Sequence, residues 1–239
     1  KLNPEQKQTR LMKELQDKLH LPKLPYHIEC FDNSNISGTD AVASCVVFKA
    51  MKPSKKDYKH FNIKTVEGPD DYASMKEVVH RRYTRLVDEE QPLPDLIIAD
   101  GGKGQMEVIR EVIQDELNLD IPIAGLAKDD RHRTNELLYG FPPIHVALKT
   151  DSELFHVLTH IQDEVHRFAI EFHRNKRSKR ALHSELDDIK GIGPKTRDEL
   201  LNGLKSVKKI READLETLTN LIGKSKAEIV YNHFKESAK

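Results

Sequence analysis

Cysteine is scarce. Cys30 and Cys45 are the only two in 239 residues, too few for a disulfide framework. Each sits in an apolar, strand-like run, so buried free thiols in a reducing cytoplasm are expected. Net charge is absent as well: 39 basic and 39 acidic residues cancel, so any affinity for nucleic acid must come from local clusters. No apolar run approaches membrane-spanning length, and no signal peptide or low-complexity tract is present. An initiator Met is missing too, since the sequence starts at Lys1; the expectation is a fragment excised from a longer protein. Hydrophobic residues make up 37% and charged residues 33%, a polar balance for a globular chain, yet the length accommodates a real core and two domains.

Periodicity places a helix over 4–20, with Leu11, Leu15 and Leu19 forming an apolar stripe before Pro22 and Pro25. His27 to Asp32 reads as a strand, 33–38 as a polar turn and Ala41 to Phe48 as a returning strand, together an antiparallel hairpin. A third strand is expected from Tyr58 to Val66, stopped by Gly68-Pro69, and a helix opens at Asp70-Asp71. Leu96 to Asp100 fits a strand buried on both faces. A helix follows Gly101-Gly102-Lys103-Gly104, a second buried strand runs from Ile121 to Ala127, and a basic excursion spans 131–135. A small hairpin over 137–148 and a long helix over 152–175 close this part. The order, antiparallel strands first and then alternating strands and helices, is that of an α/β ribonuclease H-like domain with a mixed sheet and flanking helices. Residues 174–183, with Arg174, Lys176, Arg177, Lys179 and Arg180, read as a basic linker. From Ser184 the pattern is all-helical, giving expected domains at 1–178 and 184–239.

Asp32 and Asp100 each end a predicted strand and precede turn residues. Ligands of open α/β sheets gather beyond the carboxyl ends of strands, and hard oxygen donors suit Mg²⁺ or Mn²⁺. A metal pair there would stabilise the attacking and leaving oxygens of a phosphoryl displacement. Asp is equally a common turn cap, so the two residues fit either role. His166 neighbours Asp163 and Glu164 on the long helix; in a chain with 12 histidines it reads first as a surface or packed residue. Asp70 and Asp71 have a sufficient explanation as helix-start acids. The 101–104 turn lacks the spacing of a nucleotide-binding P-loop.

The segment Lys190-Gly191-Ile192-Gly193-Pro194-Lys195 is more specific. Gly191 and Gly193 permit a tight turn, Pro194 suits a first helical turn, and the exposed N–H groups there, with Lys195, form a site for one DNA phosphate. A second copy spans Leu218 to Phe234, with Gly223-Lys224-Ser225 in place of the hairpin and one glycine fewer. Residues 206–210 fit a connecting helix. The basic run 174–180 adds a backbone contact to DNA or is a solvated linker.

These segments resemble the UvrC family of bacterial nucleotide excision repair. The resemblance rests on Ile28-Glu29-Cys30-Phe31-Asp32-Asn33-Ser34-Asn35, Val66-Glu67-Gly68-Pro69-Asp70-Asp71-Tyr72, Ile98-Ala99-Asp100-Gly101-Gly102-Lys103-Gly104-Gln105, Asp163-Glu164-Val165-His166-Arg167-Phe168, Phe172-His173-Arg174 and the 191–195 hairpin, in family order. It implies the endonuclease domain that incises 5′ of a lesion, with Asp32, Asp100 and His166 as the metal set binding Mg²⁺ or Mn²⁺. It gives Asp71 a supporting part in that cut. It also implies a tandem helix-hairpin-helix module binding damaged duplex near single-strand junctions, through Gly191, Gly193, Lys195, Gly223 and Lys224, with Arg174, Lys176 and Arg177. The implied setting is the bacterial cytoplasm with the UvrA–UvrB system; the family's 3′ nuclease and UvrB-contacting segment lie upstream of these residues. Asn35 stands where many relatives have His. The rival readings are another ribonuclease H-like nuclease, such as a junction resolvase, and a DNA-binding scaffold that has lost catalysis.

Overall fold

The computed structural model describes residues 1–36, 40–68, 70–131 and 133–237, with the side chains of 34–36, 40, 135, 178, 181–184 and 207 outside that description. The chain forms two compact units, Lys1–Ile170 and Glu171–Lys239. No helix of the described residues is long and apolar enough to cross a membrane.

In the first unit, helix α1 (Pro4–Leu19) opens with a capping box between Asn3 and Gln6. Strand β1 (His27–Ile36) pairs antiparallel with β2 (Asp40–Lys49), which also pairs with β3 (Lys52–Pro53) and β4 (Lys59–Asn62). Helix α2 (Asp71–Asp88) is capped by the Asp70 side chain. Strand β5 (Leu96–Asp100), helix α3 (Lys103–Arg110, widening to a π turn over Glu111–Glu116) and strand β6 (Ile123–Lys128) follow. Strands β7 (Thr134–Tyr139) and β8 (Ile144–Val146) complete a sheet ordered β3-β2-β1-β5-β6-β7-β8, with β4 beside β2. Among the described residues only β1–β5 and β5–β6 pair in parallel. Helix α4 spans Glu153–Asp187.

Strand side chains alternate between faces, and this assigns the two apolar layers. Ile28, Cys30, Leu96 and Ile98 meet α1 and the first turns of α4 through Leu11, Leu15, Leu158 and Val165. Phe31, Ile97 and Ala99 meet α2 and α3 through Met75, Val79, Met106 and Ile109. Both thiols are free and buried. The sheet with helices on both faces is the expected ribonuclease H-like layout.

Three elements differ from expectation. The strand expected over 58–66 is only β4, because the Glu77 carboxylate takes the backbone N–H groups of Lys64 (2.9 Å) and Thr65 (2.6 Å), which removes them from a ladder. The polar turn expected at 33–38 is strand through Ile36, since β2 pairs β1 as far as Ile36 with Asp40; Ser37 and Gly38 lie outside the described residues. The basic linker expected at 174–183, and a break after 175, are helical instead: no Gly or Pro occurs between Ser152 and Gly191, and the Lys, Arg, Ala and Leu there favour helix.

The second unit contains the end of α4, then α5 (Pro194–Leu204), α6 (Val207–Glu212), α7 (Leu215–Ile222) and α8 (Lys224–Glu236). Leu186, Ile192, Leu200, Leu218, Val230 and Phe234 share its core. The two hairpins turn at Gly191 (φ 96°) and Gly223 (φ 85°), where a side chain would be strained. The copies are tied together by Lys226 Nζ donating to the buried Thr196 hydroxyl at 3.0 Å.

Candidate metal centre

The parallel register of β1 and β5 builds the site. Ile28 pairs with Leu96, Cys30 with Ile98 and Phe31 with Ala99, always 68 positions apart. Continuing the same offset by one residue puts Asp32 beside Asp100. Both carboxylates point to the face that α4 covers, and α4 supplies His166. The ligand atoms of Asp32, Asp100 and His166 all lie within 4.8 Å of one another. His166 Nε2 is hydrogen-bonded to Asp100 Oδ2 and stands 3.8 Å from Asp32 Oδ2.

The donors around this trio hold it in place. Gln162, one turn before His166 and buried, donates its amide to Asp100 Oδ1 and to the Leu126 carbonyl at 3.2 Å, and its Oε1 accepts from the Thr134 hydroxyl. Lys128, at the end of β6, brings its ammonium 2.9 Å from His166 Nε2 and 3.7 Å from Asp100 Oδ1. Nε2 cannot serve both neighbours at once: carrying a proton it donates to Asp100, and without one it accepts from Lys128.

Burial and the Asp100 charge push the Asp32 carboxyl up to about 7. Burial acts on Asp100 in the same direction, but the His166 hydrogen bond and charge, with Gln162 and Lys128, hold it below the usual carboxylate range. The Asp100 hydrogen bond raises the His166 imidazole. Two carboxylates this close share negative charge at a cost that a cation removes, and two oxygen donors with one imidazole fit a divalent ion.

Asp71 is not in the trio. Its side chain is exposed at the first turn of α2, and its carbonyl accepts from the amide of Asn33, the residue after Asp32. Of the remaining positions, Arg174, Arg177, Lys195 and Lys224 are exposed in the second unit, while Lys176 is half-buried with its ammonium over the Phe172 ring. Gly193 and Gly223 precede α5 and α8, and neither helix start is capped by a side chain. The helix-start N–H groups there are open to an anion.

The sequence reading missed Lys128, Gln162 and a buried cluster below the site. In that cluster Glu29 receives Arg82 through Nε (2.7 Å) and Nη2 (2.8 Å) and the Tyr83 hydroxyl (2.8 Å), with His27 Nε2 at 2.8 Å.

A ribonuclease H-like sheet bearing an Asp-Asp-His trio, followed by tandem helix-hairpin-helix copies, defines a nuclease-type domain with a phosphate-binding module. Residues 16–170 match the UvrC RNAse H endonuclease domain, and residues 184–236 the SAM-like helix-hairpin-helix tandem. The chain belongs to the UvrC family. It is 68% identical over 230 residues to UvrABC system protein C of Bacteroides thetaiotaomicron, covering 96% of this chain and 38% of that protein. To the same protein of Porphyromonas gingivalis it is 52% identical over 238 residues, covering 99% of this chain and 39% of the relative. It thus spans about two-fifths of these relatives' length. A weaker likeness, TM-score 0.33 at 16% identity over 54% of this chain and 59% of the other, links it to endonuclease V of Ciona intestinalis.

Proposed function

We propose that this chain is the part of a UvrC protein that hydrolyses a phosphodiester on the 5′ side of damage in double-stranded DNA, as a Mg²⁺- or Mn²⁺-dependent endonuclease of the bacterial cytoplasm. The observation that carries this reading is the meeting of Asp32, Asp100 and His166 just beyond the last pair of the β1–β5 ladder. Asp32 and Asp100 are the metal carboxylates and His166 completes the set. The bound metal supplies Lewis-acid stabilisation of the displaced and attacking oxygens. Gln162 fixes the rotamer of Asp100, and Asp71 supports the Asp32 segment of β1 through Asn33. The hairpins at Gly191, Gly193 and Lys195 and at Gly223 and Lys224, with Arg174, Lys176 and Arg177, grip backbone phosphates near a single-strand/duplex junction, and UvrB of the UvrA–UvrB system delivers that substrate.

The test is incision of an end-labelled damaged duplex by the full-length protein with UvrA and UvrB. The 5′ product should form with Mg²⁺ or Mn²⁺ and vanish with chelator. A chelator-resistant 5′ cut, or four-way junctions cut without the partners, would overturn the reading.

Lys128 has a part in the same reading. Its ammonium stands where a phosphate approaching Asp100 would need its charge balanced. Lys128→Met is expected to lower the single-turnover 5′ incision rate about 100-fold while leaving metal affinity within a few-fold. An unchanged rate would remove Lys128 from the chemistry.

A further inference from the structure

Tyr72 lies in the first turn of α2 yet joins neither apolar layer: 55% of the residue is exposed. Its ring is nevertheless held at one end. A Cβ on Gly104 would stand 2.4 Å from the Tyr72 hydroxyl oxygen and 3.0 Å from Cε1 and Cζ, so the ring rests directly on the glycine backbone. The same turn of α2 is tied to the other carboxylate strand, because the Asn33 amide donates to the Asp71 carbonyl. Tyr72 is thereby braced against the segments that follow both metal-site aspartates. Gly104 is four residues beyond Asp100, a reach of at most about 14 Å. Lys103 between them is exposed, and Lys128 stands at the trio itself.

We propose that Tyr72 is a stacking platform for a nucleobase of the DNA strand that crosses the Asp32–Asp100–His166 trio. This rests on the nuclease reading above and deepens it. The chemistry is complementary: Lys103 and Lys128 answer the phosphates of a strand, and a braced, exposed aromatic face answers its bases without regard to sequence. Because the ring is pinned at its hydroxyl end, little side-chain freedom is lost on stacking. Gly104 then has a stated purpose, which is to leave room for the ring. Tyr72 is a positioning residue in this scheme, fixing the strand a few nucleotides from the bond that is cut.

The test uses the full chain in chelator, where no cutting occurs, and junction DNA carrying 2-aminopurine at successive positions on the 5′ side. At one position, binding should quench the probe. Tyr72→Phe should keep the quench. Tyr72→Ala should lose it and weaken junction binding about 5- to 150-fold, with an unchanged thermal midpoint. Gly104→Ala should also lose the quench, since its methyl displaces the ring, while folding is kept or improved because alanine suits a helix better than glycine. A quench that survives Tyr72→Ala, or no quenched position in saturated wild-type complex, overturns the platform. Wild-type incision in the damaged-duplex assay separates the two readings: if it persists without a Tyr72-dependent quench, only the platform fails.

Discussion

Asp32→Ala and Asp100→Ala are each expected to reduce 5′ incision at least about 1,000-fold, the rate equivalent of the several kcal/mol that a metal-held transition state supplies. Junction DNA affinity should stay within about two-fold, because the hairpins proposed to grip phosphates lie in the other compact unit. Each substitution takes away one of two carboxylates standing side by side, so Mn²⁺ binding, read by electron paramagnetic resonance, should fall in parallel with the rate. For Asp32→Ala stability should rise or stay unchanged. Asp32 is a carboxyl that burial and its neighbour push up to about 7, and removing it relieves that conflict. Incision at the wild-type rate in either variant would sink the metal assignment, whereas loss of both incision and fold would be exposed by circular dichroism.

The second large effect lies on the opposite face of β1. Burial alone would raise the Glu29 carboxyl, but Arg82, His27 and Tyr83 outweigh it and hold it down at about 2. Glu29 is 1% and Arg82 9% exposed, so removing one partner strands a buried charge. Glu29→Ala or Arg82→Ala is therefore expected to cost about 3–5 kcal/mol, lowering the thermal midpoint by roughly 10 °C. Replacing both with apolar residues of similar volume should recover most of that loss. The pH dependence has a definite sign. A carboxyl with a lowered folded pKa contributes stability that is complete above its ordinary value of 4.5 and is lost as the pH falls toward 2. Urea titrations of wild type and Glu29→Gln should then converge across that window. A constant gap between the curves would contradict the assignment.

Much of this was legible in the chain. The apolar runs ending in Asp32 and Asp100 mark two strands; β5 ends at its aspartate as expected, whereas β1 continues to Ile36 with Asp32 inside it, and the parallel register joins the two. The Gly191–Lys195 turn announced its geometry through its glycines and proline. His166 was legible only by resemblance, yet Gln162 four residues earlier on the same helical face was a usable signal. Lys128 leaves no trace in the pattern, because the apolar run stops at Ala127, one residue short of the cation at the strand's tip. Glu29 and Arg82, 53 positions apart, leave no local trace, since a charge inside an apolar strand is explained only by the helix that covers it. The end of β4 was hidden for a similar reason: its would-be ladder donors are taken by a side chain on α2. In the 174–183 segment charge suggests a linker, whereas the lack of Gly and Pro decides its conformation.

The constant offset between β1 and β5 carries a consequence for how this domain tolerates changes in length. Residues in the connections between the two strands can be gained or lost freely, because the ladder and not the count along the chain brings the aspartates together. A single residue inserted within either strand is different. It inverts the alternation beyond that point, turning that strand's aspartate toward the layer of Met106 and Ile109 and hiding it from its partner. Length variation among homologues should accordingly avoid 28–32 and 96–100 altogether, a sharper boundary than any pattern of substitutions would draw.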